Sequence, residues 1–520
     1  MSKTRCACVA SSVLAASVLF SCCFRLTAQA TPASPGEARA ERAFEEARKE
    51  GPAALRVFLF RMPKGGDLHN HLSGAVYAET FIREAADDGI CVDAVRLKMD
   101  ADHHAPDCPA GEPAAKDVPA NQHLYDELID AFSMRTFVPV TGESGHDHFF
   151  DTFGRFGDDK RFTGEWIDEV ASRAAAQNEQ YLELMQTPGF RPAAAAGTRI
   201  GWDGDGARLK AALLADDGFR GNIGNAREEY GDALRKRNEI EHCGLADALP
   251  GCRVTVRFLY QVLRGFPPAQ VFSQTLLGFE VASADPDVVG INFVMPEDGY
   301  ISMRDYALQM KMLDYLHGQY PKVHITLHAG EISADMAPPD GLKFHIRMAV
   351  EEGHAERIGH GVDVMYEDRP GELMKEMADR HVMVEVNLTS NDVILNVKGN
   401  DHPFMLYRKS GVPVALSTDD EGVSRIDLTH EYVRAAATYP LSYHDLKLMV
   451  RTSIEHSFLP GGSIWERVTP EKLETPVAAC RGQLGRETPA GECATLNHGS
   501  EKAQEEWELE RRFHIFEASF

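Results

Sequence analysis

From about residue 62 the chain alternates short apolar runs with longer polar, helix-compatible stretches. The runs lie at 67–71, 181–185, 253–261, 288–294, 323–329, 357–361, 382–388 and 412–418. Several are nearly continuous in Val, Ile and Leu, as expected of parallel strands covered on both faces. Strand followed by helix, eight times over, predicts an α/β chain folded as a (β/α)8 TIM barrel. The run at 357–361 is short and glycine-rich and takes its place from its position in the series. Ahead of the barrel, Ala38, Ala40, Ala43, Phe44 and Ala47 form an apolar stripe against Glu and Arg. That stripe predicts one helix over 35–61, broken by Pro63-Lys64-Gly65-Gly66.

The connections are unequal. Residues 90–120 are rich in Asp, Pro and Ala and are bracketed by Cys91 and Cys108, which suggests a stapled insertion after the first strand. Residues 190–252 hold Gly-Asp-Gly turns and a charged helical stretch at 226–240. Beyond 460 come a Pro/Gly-rich linker with Cys480 and Cys493 and a closing helix over 501–516. The expected organisation is a leader over 1–30, a helical segment over 31–61, a barrel over 62–460 and a C-terminal extension over 461–520.

Composition narrows the partners. Of 520 residues, 43% are hydrophobic and 26% charged, an ordinary soluble balance. The formal net charge is −25, which offers no footprint for nucleic acid. Lys3 and Arg5, the apolar run at 9–20 and Ala28-Gln29-Ala30 read as a secretory signal peptide, so export to the periplasm or the extracellular space is expected. A lipid anchor at Cys22 is the alternative. No other stretch is apolar enough for a membrane span. Six cysteines follow the leader, in three close pairs: Cys91 and Cys108, Cys243 and Cys252, Cys480 and Cys493. Six allow 15 connectivities, and nearest-neighbour pairing is the simplest.

The candidate chemistry sits at strand ends. His69 and His71 are two apart on the first run and face the same way. Alone, such a pair is a weak metal signal. The fifth run ends in His328-Ala329-Gly330-Glu331, the sixth in His360-Gly361 and the eighth in Ser417-Thr418-Asp419-Asp420. The carboxyl ends of barrel strands are where such enzymes place catalytic groups. Four ends carrying metal-ligand or acid–base residue types argue against accident.

The stretches Met62–Leu72, Leu327–Glu331, Arg357–Gly361 and Ser417–Asp420, in this order, resemble the adenosine deaminase family of metal-dependent hydrolases. The Met-Pro-Lys-Gly lead-in, the leader and the cysteine-closed insertion are most similar to the extracellular, growth-factor-type members. The resemblance implies one zinc ion held by His69, His71, His328 and Asp419. It implies that His360 orients the attacking water and takes its proton, that Glu331 protonates ring nitrogen 1, and that Asp420 bonds nitrogen 7. The expected reaction converts adenosine or 2′-deoxyadenosine to the inosine product and ammonia, with a small purine nucleoside as the only expected partner. His71, Ser73, Met295 and Asp420 are the expected substrate contacts. Two positions depart from the family pattern: Ser73 stands where an Asp usually meets the ribose 5′-hydroxyl, and Met295 where a Gly usually meets ring nitrogen 3. Those departures keep open a different adenine-type substrate on the same site. A catalytically weak nucleoside-binding signalling protein is the reading from another class. The resemblance also places a helical lid over the purine at Phe132, Phe137, Phe149, Phe150, Phe153 and Phe156, against the plainer reading of helix core. It makes 385–391 the support of the seventh strand end.

Overall fold

A computed structural model describes residues 34–157, 160–466 and 473–520. The proposed leader and its Cys22 lie outside them. Ten strands form: β1 (Gly66–His71), β2 (Ile90–Asp93), β3 (Lys98–His104), β4 (Tyr181–Gln186), β5 (Thr255–Leu263), β6 (Val288–Val294), β7 (His324–Ala329), β8 (Arg357–His360), β9 (Met383–Val386) and β10 (Val414–Leu416). Eight of them make one parallel sheet in the order β1-β4-β5-β6-β7-β8-β9-β10. A parallel bridge between Asn70 and Asp419 brings the last strand back to the first, with His71 N–H on Asp419 O at 2.9 Å and Asp419 N–H on His69 O at 2.9 Å. The (β/α)8 barrel is therefore nearly closed, and each barrel strand is one of the eight runs of the sequence, shifted at its ends by at most two residues. Side chains along β1, β8, β9 and β10 are buried throughout, because helices cover one face and the barrel interior the other.

Three expectations change in detail. The N-terminal helix is two helices, Pro35–Glu50 and Pro52–Arg61. Gly51 between them has φ +109°, and Pro52 starts the second helix at the one position where its missing N–H costs nothing. The insertion carries its own antiparallel hairpin, β2 with β3, which its polar composition hid. It is closed by the Cys91–Cys108 disulfide, and Cys243–Cys252 and Cys480–Cys493 are also joined, which is the nearest-neighbour scheme. The charged stretch at 226–240 is the second half of a longer helix, Asp217–Ile240.

The final helix, Glu501–Ala518, packs back on the helix Tyr443–Glu455 and on Pro35–Glu50. Phe58, Tyr443, Phe516 and Phe520 bring their rings together there. The helices at 35–61 and Glu501–Ala518 thus share one clasp beside the barrel. No helix among the described residues is long and apolar enough to cross a membrane.

Candidate active site

β1 delivers His69 and His71 on one face, β7 delivers His328, and the turn after β10 delivers Asp419. His69 Nε2 and His71 Nε2 each lie 3.1 Å from His328 Nε2, and each lies 3.3 Å from Asp419 Oδ1. All four side chains are buried.

The other ring nitrogen of each histidine is committed elsewhere. His69 Nδ1–H donates to Glu385 Oε2 at 2.6 Å, His71 Nδ1–H to Gln261 Oε1 at 2.5 Å and His328 Nδ1–H to Asn292 Oδ1 at 2.7 Å. A neutral imidazole has one proton, so all three Nε2 lone pairs point at a common centre, with a carboxylate beside them. Facing acceptors repel unless a cation lies between them. Ligand atoms ~2.0–2.1 Å from a tetrahedral ion stand about 3.3 Å apart, which is the spacing found here. The cluster has the donor set and spacing to hold a metal ion.

The surrounding residues support it. Glu385 is itself gripped by Arg357 Nε at 2.7 Å and by Thr326 Oγ1–H at 2.9 Å. Gly359 lies under His69; a Cβ there would come within 2.6 Å of His69 Cε1. Asp67, on the same strand as the two histidines, accepts the Thr418 backbone and hydroxyl and ties β1 to the turn that carries Asp419.

The remaining expected residues ring the centre. Glu331 follows β7, and its backbone N–H is held by Glu297 Oε2 at 2.7 Å. Its Oε1 lies 3.6 Å from His360 Nε2. The His360 ring stands 4.9 Å from that of His69 and 5.1 Å from that of His328. Asp420 folds over Gly74, where a Cβ would collide with its carboxylate, so glycine is required. Burial, reinforced by the Asp419 charge, pushes both Glu331 and Asp420 well above the carboxylate range. Asp419 goes the other way: the neighbouring His69 and His71 rings outweigh its burial and hold it well below. Burial pushes His360 down to about 3, with Asp419 opposing. The three acids are therefore shifted in opposite directions, Asp419 downward and Glu331 and Asp420 upward.

Met295 and Ser73 border the same end of the barrel. Met295 adopts φ +99°, a conformation that suits glycine. Its side chain finds room by lying against Gly265, whose N–H sits 3.3 Å from the sulfur. Ser73 is half-buried on the one-turn helix Leu72–Ala75. The phenylalanines divide. Phe132, Phe149, Phe153 and Phe156 pack on one another, and Phe81 stacks on Phe156 at 4.2 Å. They are core of the segment that follows the insertion. Phe137 lines a groove beside the segments that follow β6, β7 and β9 with His146, and His146 Nε2 reaches Asp298 at 3.2 Å. Asp147, Asp335 and Asp392 border the same groove.

Sequence reasoning missed Gln261 and Asn292, polar residues near the ends of apolar strands, and it gave no role to His402. Glu385 carried a legible signal, as a lone acid between Val384 and Val386 in a strand buried on both faces.

Fold and centre together define a barrel whose metal site opens at the carboxyl ends of its strands. Residues 237–464 match the family model for adenosine deaminase, a span that includes β5 to β10 but not His69 and His71. The chain is 38% identical over 151 residues to adenosine deaminase of Salmonella heidelberg, covering 29% of this chain and 41% of that one. It is 37% identical over 137 residues to adenosine deaminase of Escherichia coli, covering 26% and 38%. The chain thus spans about two fifths of the length of these curated relatives. Two solved structures share the fold. The N6-methyl-AMP deaminase of Arabidopsis thaliana is 20% identical, with 78% of this chain and 94% of that one covered and a TM-score of 0.50. An amidohydrolase of Burkholderia ambifaria with bound zinc is 18% identical, with 78% and 89% covered and a TM-score of 0.51. Over residues 237–464 the chain is similar to the adenosine deaminase family.

Proposed function

We propose that this protein is a zinc-dependent aminohydrolase of adenosine and 2′-deoxyadenosine. The observation that carries the reading is the arrangement of buried side chains: His69, His71 and His328 converge beside Asp419, with Glu331 3.6 Å from His360 and both Glu331 and Asp420 shifted toward the protonated form. Hydrolytic deamination of adenine needs that combination. The ring must be protonated as water attacks, so an acid that keeps its proton at neutral pH is required.

His69, His71, His328 and Asp419 would hold the ion; three imidazole nitrogens and one carboxylate oxygen suit zinc. When bound, it supplies the Lewis acidity that brings a water's pKa toward ~7. Glu331 donates its proton to ring nitrogen 1, which draws electrons from carbon 6. The water oxygen adds at carbon 6; one of its protons passes to the 6-amino group, which leaves as ammonia, and the other restores the proton that Glu331 gave to nitrogen 1. Asp420, kept protonated, donates to nitrogen 7 and fixes the purine plane. His360 faces the attacking oxygen. His71 borders the purine, the Met295 backbone N–H addresses nitrogen 3, and Ser73 addresses the 5′-hydroxyl.

The mouth favours an uncharged nucleoside. Asp147, Asp298, Asp335 and Asp392 border the groove, and its Lys398 is already paired with Asp392 at 2.9 Å. A 5′-phosphate would meet these charges at the surface. The test is the ultraviolet change from adenosine to inosine, measured with purified protein before and after chelation and after zinc return. Activity on adenosine that is lost and restored, with AMP at least ~10-fold poorer in kcat/KM, is expected. Turnover untouched by complete metal removal, or a preference for AMP, overturns the assignment. Export is proposed on the leader at 1–30; the three disulfides fit an oxidising compartment. An exported protein whose intact mass still includes residues 1–30 would contradict cleavage there.

A further inference from the structure

We propose that His402 and Asn391 act as positioning residues that lock His360 with its proton on Nε2, so that it meets the reacting centre as a hydrogen-bond donor. The inference rests on the deaminase reading for its consequence, but its geometry stands on hydrogen bonds outside the metal ligands.

The chain of bonds starts at a group with no choice. A backbone N–H can only donate, and Phe404 N–H donates to His402 Nδ1 at 3.1 Å. The turn Asp401-His402-Pro403-Phe404 brings the ring back onto the residue two positions later. His402 Nδ1 is therefore an acceptor, and the proton of the neutral ring lies on Nε2. The ring is buried, and burial pushes it down to about 3, so it stays neutral. Its Nε2–H donates to Asn391 Oδ1 at 3.0 Å.

That bond decides which way the Asn391 amide points. An amide orientation is ambiguous in isolation, but here the oxygen must face His402 and the NH2 must face away. Asn391 Nδ2–H then donates to His360 Nδ1 at 2.9 Å. Asn387 Nδ2 lies 3.4 Å from the same nitrogen. With Nδ1 occupied as an acceptor, the single proton of neutral His360 is on Nε2. That nitrogen has no hydrogen-bond partner in the protein and lies 3.6 Å from Glu331 Oε1. His360 itself sits at φ +69°, so the backbone holds the ring where the amides can reach it.

The consequence refines the role drawn from the family resemblance. A neutral ring whose Nε2 already bears the proton cannot accept another there. It can orient and stabilise an electron-rich oxygen. Reversing the polarity of one link should reverse the tautomer. Asn391→Asp replaces a donor by an acceptor at nearly constant shape; the proton should move to His360 Nδ1 and leave Nε2 as a bare acceptor.

The experiment uses full-length, zinc-loaded protein labelled with [15N]histidine, and His360 is assigned by the signal lost in His360→Gln. Wild type should show a protonated Nε2 and an unprotonated Nδ1. Asn391→Asp should show the opposite pattern, keep its metal, and lose at least ~10²-fold in kcat with KM changed less than ~3-fold; a wrong tautomer in a hydrolytic triad costs ~10⁴-fold. His402→Phe, which frees the amide to flip, should mix the two patterns and lose less. A wild-type spectrum with the proton on Nδ1 overturns the inference, as does an Asn391→Asp variant with the wild-type pattern and wild-type kcat. If that variant does not fold, the wild-type spectrum decides. A wild type with the expected tautomer but no turnover of adenosine would sink the deaminase reading and leave the lock standing.

Discussion

The mouth of the barrel and the clasp of terminal helices are both dense in buried charge, yet they are assembled in opposite ways. In the clasp Lys447, His444 and Arg451 are each met by a carboxylate. Lys447 Nζ lies 2.6 Å from Glu517 and 3.2 Å from Glu37, His444 Nδ1 lies 2.7 Å from Glu37, and Arg451 grips Glu510 through two parallel bonds at 2.7 and 2.8 Å. At the mouth the geometry is incomplete by itself. Three imidazole lone pairs face one another, Asp420 Oδ1 and His360 Nε2 lack hydrogen-bond partners, and Met295, His360 and Asp419 all have positive φ. Residues held in such conformations persist only where the surroundings impose them. The clasp is finished by folding, whereas the chemistry proposed for the mouth needs an ion and a substrate. Substitutions should therefore separate cleanly: those at the mouth should change chemistry more than stability, and those in the clasp the reverse.

The largest effect is expected from His69→Ala or Asp419→Ala. Each removes a ligand, so turnover should fall to background and the metal content of the purified protein should drop from one ion per chain toward none. A full metal complement in both variants would remove these residues from the centre. Glu331→Gln comes next. It keeps the shape and the metal but cannot give up a proton, and kcat should fall by ~10²–10⁴-fold. Near-normal turnover would exclude Glu331 as the ring's proton donor.

In the clasp, Arg451→Met leaves Glu510 buried and uncompensated. Breaking such a pair costs about 3–5 kcal/mol, so denaturant unfolding should shift by that amount. The kcat of the protein that remains folded should be unchanged. A loss of kcat without a loss of stability would erase the contrast between the regions. The clasp also predicts a pH window. Burial raises Glu37, but His444 and Lys447 outweigh it and hold it at about 2. A folded-state pKa below the unfolded value gives stability that is full above the unfolded carboxylate pKa, ~4.3, and lost as pH falls through about 2. His444 is shifted upward, chiefly by its bond to Glu37, with burial opposing. Its contribution is full below the unfolded histidine pKa and lost as pH rises through the folded one. The difference in Tm between wild type and Glu37→Gln should be greatest between about pH 5 and 6.5 and shrink toward pH 2. A difference that grows in acid would mean that Glu37 is protonated in the folded protein.

The contrast also explains what the sequence could and could not reveal. The eight runs were legible because a parallel strand covered on both faces must be apolar along its length. His69, His71, His328, Glu331, His360, Asp419 and Asp420 stood out because polar residues ending such runs have few structural reasons to be there. The hairpin β2–β3 was hidden because its residues, Lys98–His104 above all, are mostly solvent-facing and polar. Gln261, Asn292 and His402 were hidden for another reason. Each acts by the polarity of one hydrogen bond, and that depends on a partner tens to hundreds of residues away or on a turn whose shape is not written in residue type alone.

The smallest expected effect tests whether the backbone of the mouth is strained. At φ +99° any residue with a Cβ is in a region that glycine alone enters at little cost, and the penalty for other residues is about 1–2 kcal/mol. Comparing Met295→Gly with wild type would mix this with the loss of the contact on Gly265. Comparing Met295→Gly with Met295→Ala does not, because both lack the long side chain. At ordinary positions alanine is the more stable of the two, since glycine loses more freedom on folding by roughly 0.5–1 kcal/mol. At position 295 the strain relieved by glycine should outweigh that loss. Met295→Gly should therefore unfold at the higher denaturant concentration, by up to about 1 kcal/mol, reversing the usual order. Both variants should keep kcat within a few-fold if the contact to nitrogen 3 is made by the backbone N–H, which neither change removes. If alanine proves the more stable, the turn after β6 relaxes freely, and the strain that sets the mouth apart from the clasp is confined to His360 and Asp419.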